Sequence, residues 1–362
     1  MNEKQLTRYI QEVMQRQTGK ILRSGDLLDE KQSKKLIASI RKSLDEVGSV
    51  SEKAITEQLV LSYFTGAEKA SKQLDRAGIK VKGMQAFTSR GKVTKAFQAP
   101  IHKEALDRIM SDAMLDLTAA VRTAKRSVGT NITATLNDVR NELGGATVSG
   151  DARRVVQQRV AESFAKNGFT SFVTSDGKNL PLDFYARTVA NTKMRDAAVT
   201  GSCNRYREAG VDTVRIIGND DCCEICAQYQ GMVVSLDGLD DRFPSDIPLP
   251  PYHPNCHDNV IPYVTDYKSD ADLESAFERN DAFVPGEDPR TPEQIKAYED
   301  ARKAKRIAND EKKQYARYQA VLGNDAPKTL GAFRRMKHEN TFNYQELEMQ
   351  YRSTMHAAKN LK

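Results

Sequence analysis

All but one of the five cysteines lie between Asp220 and Tyr263, and two residue pairs in that stretch have metal-ligand spacing. Cys223 and Cys226 form a C-x2-C pair, and His253 and Cys256 form an H-x2-C pair further along. Two residues between donors let one tight turn aim both side chains at a single ion. Two such hooks supply the four donors of a tetrahedral zinc centre. Pro250, Pro251 and Pro254 stiffen the approach to the second hook, and Asn255 is a turn former beside Cys256. Cys222 and His257 each stand one residue from a favoured donor and could replace it. Spacing favours Cys223 and His253, because a shift to Cys222 gives the less common C-x3-C. Three thiolates and an imidazole close the coordination shell, so the expected zinc is structural, one per chain. Cys203 falls on a predicted helix and reads as a small buried apolar residue.

Enzymatic signatures are scarce. There is no G-x-S-x-G elbow, P-loop, H-E-x-x-H, or G-x-G-x-x-G after a strand, so no catalytic residue and no enzyme is predicted. The alternative with chemistry is a zinc-braced HNH-like nuclease, since His253, Asn255, His257 and Asn259 lie close together. That fold needs a helix with further ligands directly after its histidine hairpin, whereas the residues after His257 read as a strand, NVIPYV. A generic intracellular DNA-binding adaptor is the other alternative.

The elements that must position the hooks follow from periodicity. The chain has 362 residues, no tryptophan and a net charge of +6, enough for two or three domains and compatible with nucleic acid without being polybasic. No apolar run approaches the ~20 residues of a membrane span, and MNEKQLTRYI lacks a signal-peptide core. The expectation is synthesis in a cytoplasm, no membrane partner, and reduced thiols that bind metal rather than pair as disulfides.

Residues 1–145 read as successive helices with narrow apolar faces: Leu6, Ile10 and Val13; then Leu36, Ile37, Ile40 and Leu44; then Ile55, Leu59, Tyr63 and Phe64. A connector from Gly78 to Pro100 and a long helix carrying Leu106, Ile109, Met110, Met114 and Leu117 complete this region, and Gly144-Gly145 ends it. Residues 150–270 form a compact module: a helix with Val155, Val156, Val160 and Phe164, then a hairpin from Phe169 to Leu182 turning at Ser175–Gly177. A helix from Leu182 to Glu208 and a strand Val211–Ile217 then lead to the first hook, and one short strand follows each hook. On that helix Arg187, Thr188 and Asn191 share or neighbour one face and are predicted to brace it against the metal loop. Residues 271–290 read as a proline-containing linker, and 291–362 as a charged helical tail. Lys303, Lys305, Arg306, Lys312, Lys313 and Arg317 there, interleaved with Tyr298, Tyr315 and Tyr318, suit phosphate or an acidic partner. The fold class is therefore α+β and predominantly helical, with N-terminal arms, a small zinc-braced central module and a charged tail.

From Ala152 to Tyr267 the order of motifs resembles the MuF-like head-morphogenesis, or minor capsid, proteins of tailed bacteriophages. The specific parts are Arg187-Thr188 with Asn191, Cys223/Cys226, and HPNC at His253–Cys256. The doubled Cys222-Cys223, and His257 where the family commonly has arginine, depart from the pattern. The resemblance implies a virion protein assembled in the host cytoplasm and located inside the capsid near the portal vertex. Its implied partners are the portal protein, the major capsid or scaffold protein, and double-stranded DNA bound without sequence preference. The implied role is head assembly and DNA packaging or delivery.

Overall fold

Leu6, Ile10, Val13, Gln17 and Ile21 recur at helical spacing and are buried along one face of α1 (Glu3–Leu22). The same logic builds most of the chain, a computed structural model of which describes residues 1–143, 150–167, 169–173, 179–219, 221–254 and 256–357. The elements after α1 are α2 (Glu30–Arg76), α3 (Pro100–Leu143), α4 (Gly150–Asn167), β1 (Thr170–Val173), β2 (Asn179–Pro181) and α5 (Leu182–Phe184). A π-helical turn, Tyr185–Val189, leads into α6 (Ala190–Glu208), β3 (Thr213–Ile217), α7 (Glu224–Tyr229), β4 (Val233–Ser235) and β5 (Asn259–Pro262). Then come α8 (Asp270–Asp281), α9 (Pro292–Leu322), α10 (Leu330–His338) and α11 (Phe342–Ala357). The fold is predominantly helical α+β, as expected. The Gly144-Gly145 break, the Ser175–Gly177 turn and Asn255 lie outside the described residues.

Two expectations are corrected. The second and third apolar faces belong to one continuous helix, α2, because Gly48 does not interrupt it. Part of the segment predicted as a linker is α8, which starts with a capping box between Ser269 and Asp272 and buries Ala276. Its low apolar content concealed it: one small side chain facing inward suffices where Phe277 packs beside it.

The described chain forms two compact units, each assembled from discontinuous segments. The first comprises Met1–Glu3, Lys53–Leu115 and Arg187–Arg302. Its sheet is antiparallel in the order β4-β3-β5, with Val214 opposite Val234 and Pro262, and Ile216 opposite Val260. Because strand side chains alternate, Val214, Ile216, Val234 and Val260 face one way. There they join Ala70 and Leu74 of α2 and Val199, Cys203 and Tyr206 of α6 in a single core. Val233 belongs to a second cluster with Phe243, Tyr263 and Ala276 of α8. Each fully buried aliphatic or aromatic side chain contributes roughly 1.5–3 kcal/mol.

Helices α2 and α6 approach so closely that only glycine fits at their crossing. A Cβ at Gly66 would lie 2.0 Å from the Ala198 carbonyl oxygen, and one at Gly201 would lie 2.2 Å from that of Tyr63. The Ser202 hydroxyl donates to the Gly66 carbonyl across the same contact. Nearby, the fully buried His102 has Nε2 3.0 Å from Glu208 Oε2 and Nδ1 2.8 Å from the Tyr63 hydroxyl. The carboxylate can only accept, so Nε2 carries the proton and Nδ1 accepts from Tyr63, whose oxygen in turn accepts from Asn204. Arg205 closes the network on Glu208, Ser71 and the carbonyls of Lys82 and Gly83.

The second unit comprises Lys4–Glu52, Asp116–Ala186 and Lys303–Lys362. The hairpin pairs β1 with β2 in antiparallel register. Tyr318 of α9, Phe333 of α10, and Tyr344 and Leu347 of α11 form an aromatic cluster. Gln158 on α4 donates to the Val321 carbonyl of α9.

Candidate metal centre

Strand β3 delivers the chain to Gly218 and the first hook, where Cys223 takes the N-cap position of α7 and Cys226 sits in its first turn. That places the two side chains one helical turn apart on the same side of a short helix. The second hook closes as a tight turn, with the Cys256 amide donating to the His253 carbonyl. His253 Nε2 lies 3.0 Å from both Cys223 Sγ and Cys226 Sγ, and Cys226 Sγ lies 3.5 Å from Cys256 Sγ. The His253 ring is oriented through Nδ1, which donates to the Pro254 carbonyl at 2.8 Å. Neutral imidazole with its proton on Nδ1 presents a lone pair on Nε2 towards the sulfurs.

These donors fit zinc. Tetrahedral bonds of about 2.3 Å to sulfur and 2.0 Å to nitrogen imply edges of about 3.5–3.8 Å, a few tenths of an ångström wider than the two His253–sulfur distances and the Cys226–Cys256 distance. The donors fall into two triplets sharing Cys226, one with Cys223 and His253 and one with Cys256 and Asp258; within each, the ligand atoms lie within 4.8 Å of one another.

The titratable groups of the cluster are shifted in opposite directions. Cys256 is drawn down to about 6 by the hydrogen bond from Cys226, with the Tyr252 and Asp258 amides also donating to its sulfur. Cys226 is pushed up by the same hydrogen bond and by burial. Asp258 is 4% exposed, and burial pushes its carboxyl up despite the Gln230 amide. Tyr252, next to His253, stacks on Tyr229 at 4.4 Å, itself against Phe283. By contrast Cys203 is sealed in the core, with its thiol pushed up to about 12 by burial, and is inert there.

The two rivals for ligand positions point elsewhere. Cys222 is outside both triplets, and its carbonyl accepts from Arg290. His257 is exposed, with Nδ1 2.9 Å from Arg195 Nη2. After it comes the strand β5, where an HNH site needs a helix.

Of the predicted brace, Thr188 is 2% exposed, Asn191 is half-buried and Arg187 is exposed. Arg187 and Thr188 belong to the π-helical turn, whose extra residue per turn shifts the face that an α-helical reading assigns them. A tie from α6 to the residue after the second hook runs through Arg195, which the sequence reading passed over. It also missed Arg279, which donates to the Gln228 and Gln230 carbonyls, and Arg290, whose contact with Cys222 holds the first hook. Arg290 is locked by a two-point pair with Asp288 and lies over the Tyr298 ring. Asp258 was missed too, although its place two residues after Cys256 was a usable signal.

On α9, Lys303, Lys305, Arg306, Lys312 and Lys313 are exposed, Arg317 is half-buried, and none of the six forms an ion pair among the described residues. At about 100° per residue, Lys303, Arg306, Lys313 and Arg317 share a sector of about 80°, and Lys305 and Lys312 occupy another. The aromatic interleaving is corrected: Tyr315 and Tyr318 pack into the cluster around Phe333 instead of standing free. Glu311 is buried and gathers Arg334, Lys337 and His338.

The match to the family described as Phage minor capsid protein 2 runs over residues 29–322, and the chain belongs to that family. Its role is in the phage capsid, as a component of the virion. No curated protein and no solved structure matches it. Among the described residues no helix is long and apolar enough to cross a membrane.

Proposed function

We propose that this chain is a minor capsid protein of a tailed bacteriophage that sits inside the head at the portal vertex and acts in head assembly and DNA packaging or delivery. The observation that carries the reading is the extent of the family match, which spans both hooks and most of the helical segments around them. In this reading Cys223, Cys226, His253 and Cys256 hold one structural zinc that joins the strand ends, and no catalysis is assigned to the chain. The metal supplies cross-linking in a module whose sheet has only three short strands. The exposed cations of α9 contact DNA phosphate without reading sequence, because phosphate contacts position a protein on DNA and base contacts specify it. Arg187, Thr188 and Asn191 support the start of α6 beneath the module. The remaining partners are the portal and the major capsid or scaffold protein.

Co-expression of the chain with the portal and capsid proteins of its phage tests this. The expected result is incorporation into procapsids and co-purification with portal rings. Complete absence from both particles overturns the portal reading.

A further inference from the structure

The four donors of the proposed zinc centre leave one buried carboxylate unexplained. Asp258 is 4% exposed, yet only its Oδ1 has a hydrogen-bond partner, Gln230 Nε2 at 3.0 Å. Its Oδ2 has none among the described residues. A buried carboxylate oxygen without a hydrogen-bond partner is costly, and a bound ion is one way to satisfy it. One of its oxygens instead shares a space within 4.8 Å with the sulfurs of Cys226 and Cys256. The Cys226 thiol can share a hydrogen bond with this carboxyl, and thiolate sulfur and carboxylate oxygen can both serve as ligands of one zinc ion.

The surroundings hold Asp258 in this pose. Gln230 also reaches the Asn219 carbonyl, and a Cβ at Gly218 would lie 1.9 Å from Gln230 Nε2 and 2.2 Å from Asp258 Oδ1. Glycine at 218 therefore makes room for the Gln230–Asp258 pair beside the hooks. A positioned partner on one oxygen is what orients a ligating carboxylate.

We infer that Asp258 is a ligand of the metal centre, supplying an oxygen donor to the ion held by Cys226 and Cys256. This rests on the proposal that the hooks bind zinc. With Asp258 the five residues offer a mixed set of sulfur, nitrogen and oxygen donors in two triplets that share Cys226, one donor more than a four-coordinate ion takes. Asp258 and one other donor, His253 or Cys223, can then exchange on the ion.

The test compares wild type, Asp258→Asn and Asp258→Cys, each loaded with zinc against a chromophoric chelator and separately with cobalt(II), whose visible bands report donor type and number. Asp258→Asn keeps the shape and the Gln230 contact while removing the donor charge. The expected result is a loss of zinc affinity of about tenfold or more, together with shifted cobalt bands. Asp258→Cys restores affinity and strengthens the sulfur-to-cobalt charge-transfer band. Unchanged affinity and spectrum in Asp258→Asn overturns the inference while leaving zinc binding intact. Reduced affinity with an unchanged cobalt spectrum also overturns it, since Asp258 then only orients the true ligands. Wild type that binds neither metal overturns the zinc reading and this inference together.

Discussion

Arg195 Nη2 stands 2.9 Å from His257 Nδ1, tying the middle of α6 to the residue that follows the second cysteine hook. An arginine has no proton-accepting atom, so the histidine nitrogen accepts and its ring is neutral in this contact. Arg195→Ala is expected to lower stability by about 1 kcal/mol, the usual worth of one hydrogen bond, and to leave metal content unchanged. Urea denaturation alongside elemental analysis checks both halves; loss of metal would show that the tie is part of the centre.

Cys226 belongs to both donor triplets, whereas Cys222 belongs to neither. Purified wild type is expected to carry about one zinc per chain. Cys226→Ser should release it and lower Tm, and Cys222→Ser should do neither. Metal analysis of the three proteins under reducing conditions decides the assignment.

The α2–α6 crossing has no room for a methyl group at Gly66 or Gly201. The atoms in the way are main-chain carbonyls, which cannot swing aside as a side chain can. Either glycine→alanine substitution is therefore expected to destabilise by about 1–3 kcal/mol or more, read as a lower midpoint in urea at similar slope.

His102 gives a pH dependence with a definite sign. Burial lowers its pKa from 6.5, outweighing the pull of Glu208. The unfolded chain therefore takes up a proton more readily than the folded one. Stability is full above about 6.5 and declines as pH falls below it. His102→Gln should flatten the decline in a Tm series from pH 7.5 to 5, and an equally steep decline in that variant would move the effect to other groups.

For α9, geometry sharpens the salt experiment. A straight duplex meets one sector of the helix at a time, so neutralising Lys303, Arg306 and Lys313 should lower the slope of log affinity against log salt by about three. Neutralising Lys305 and Lys312 should change it less. Equal slopes in all variants would assign the helix to protein contacts.

The hooks were legible from sequence because their geometry is local: two residues between donors impose a turn whatever the rest of the chain does. So was the helical character of α1, α3 and α6, which rests on periodicity alone. What sequence could not give were the partners of single side chains across long separations. The spacing of Asp258 from Cys256 hinted at a role, but that Gln230 holds one of its oxygens while the other has no hydrogen-bond partner among the described residues is visible only in three dimensions. Tyr315 and Tyr318 looked like stacking groups on a basic helix until α10 and α11 were seen to cover them. The α8 segment, rich in acids and flanked by prolines, resembled a linker because its contribution to the core is one alanine and two neighbouring apolar side chains.

The core that joins Ala70 and Leu74 to Tyr206, Val214 and Val260 has a consequence for the order of events on the ribosome. The second half of α2 leaves the exit tunnel long before the strands that will cover it are made. Until α6 emerges the glycine face at Gly66 is an open groove, until β3 emerges Leu74 has no strand to pack against, and the sheet is complete only with β5. Nascent chains should therefore stay sensitive to protease until synthesis has passed the second hook, and acquire protection in one late step instead of helix by helix.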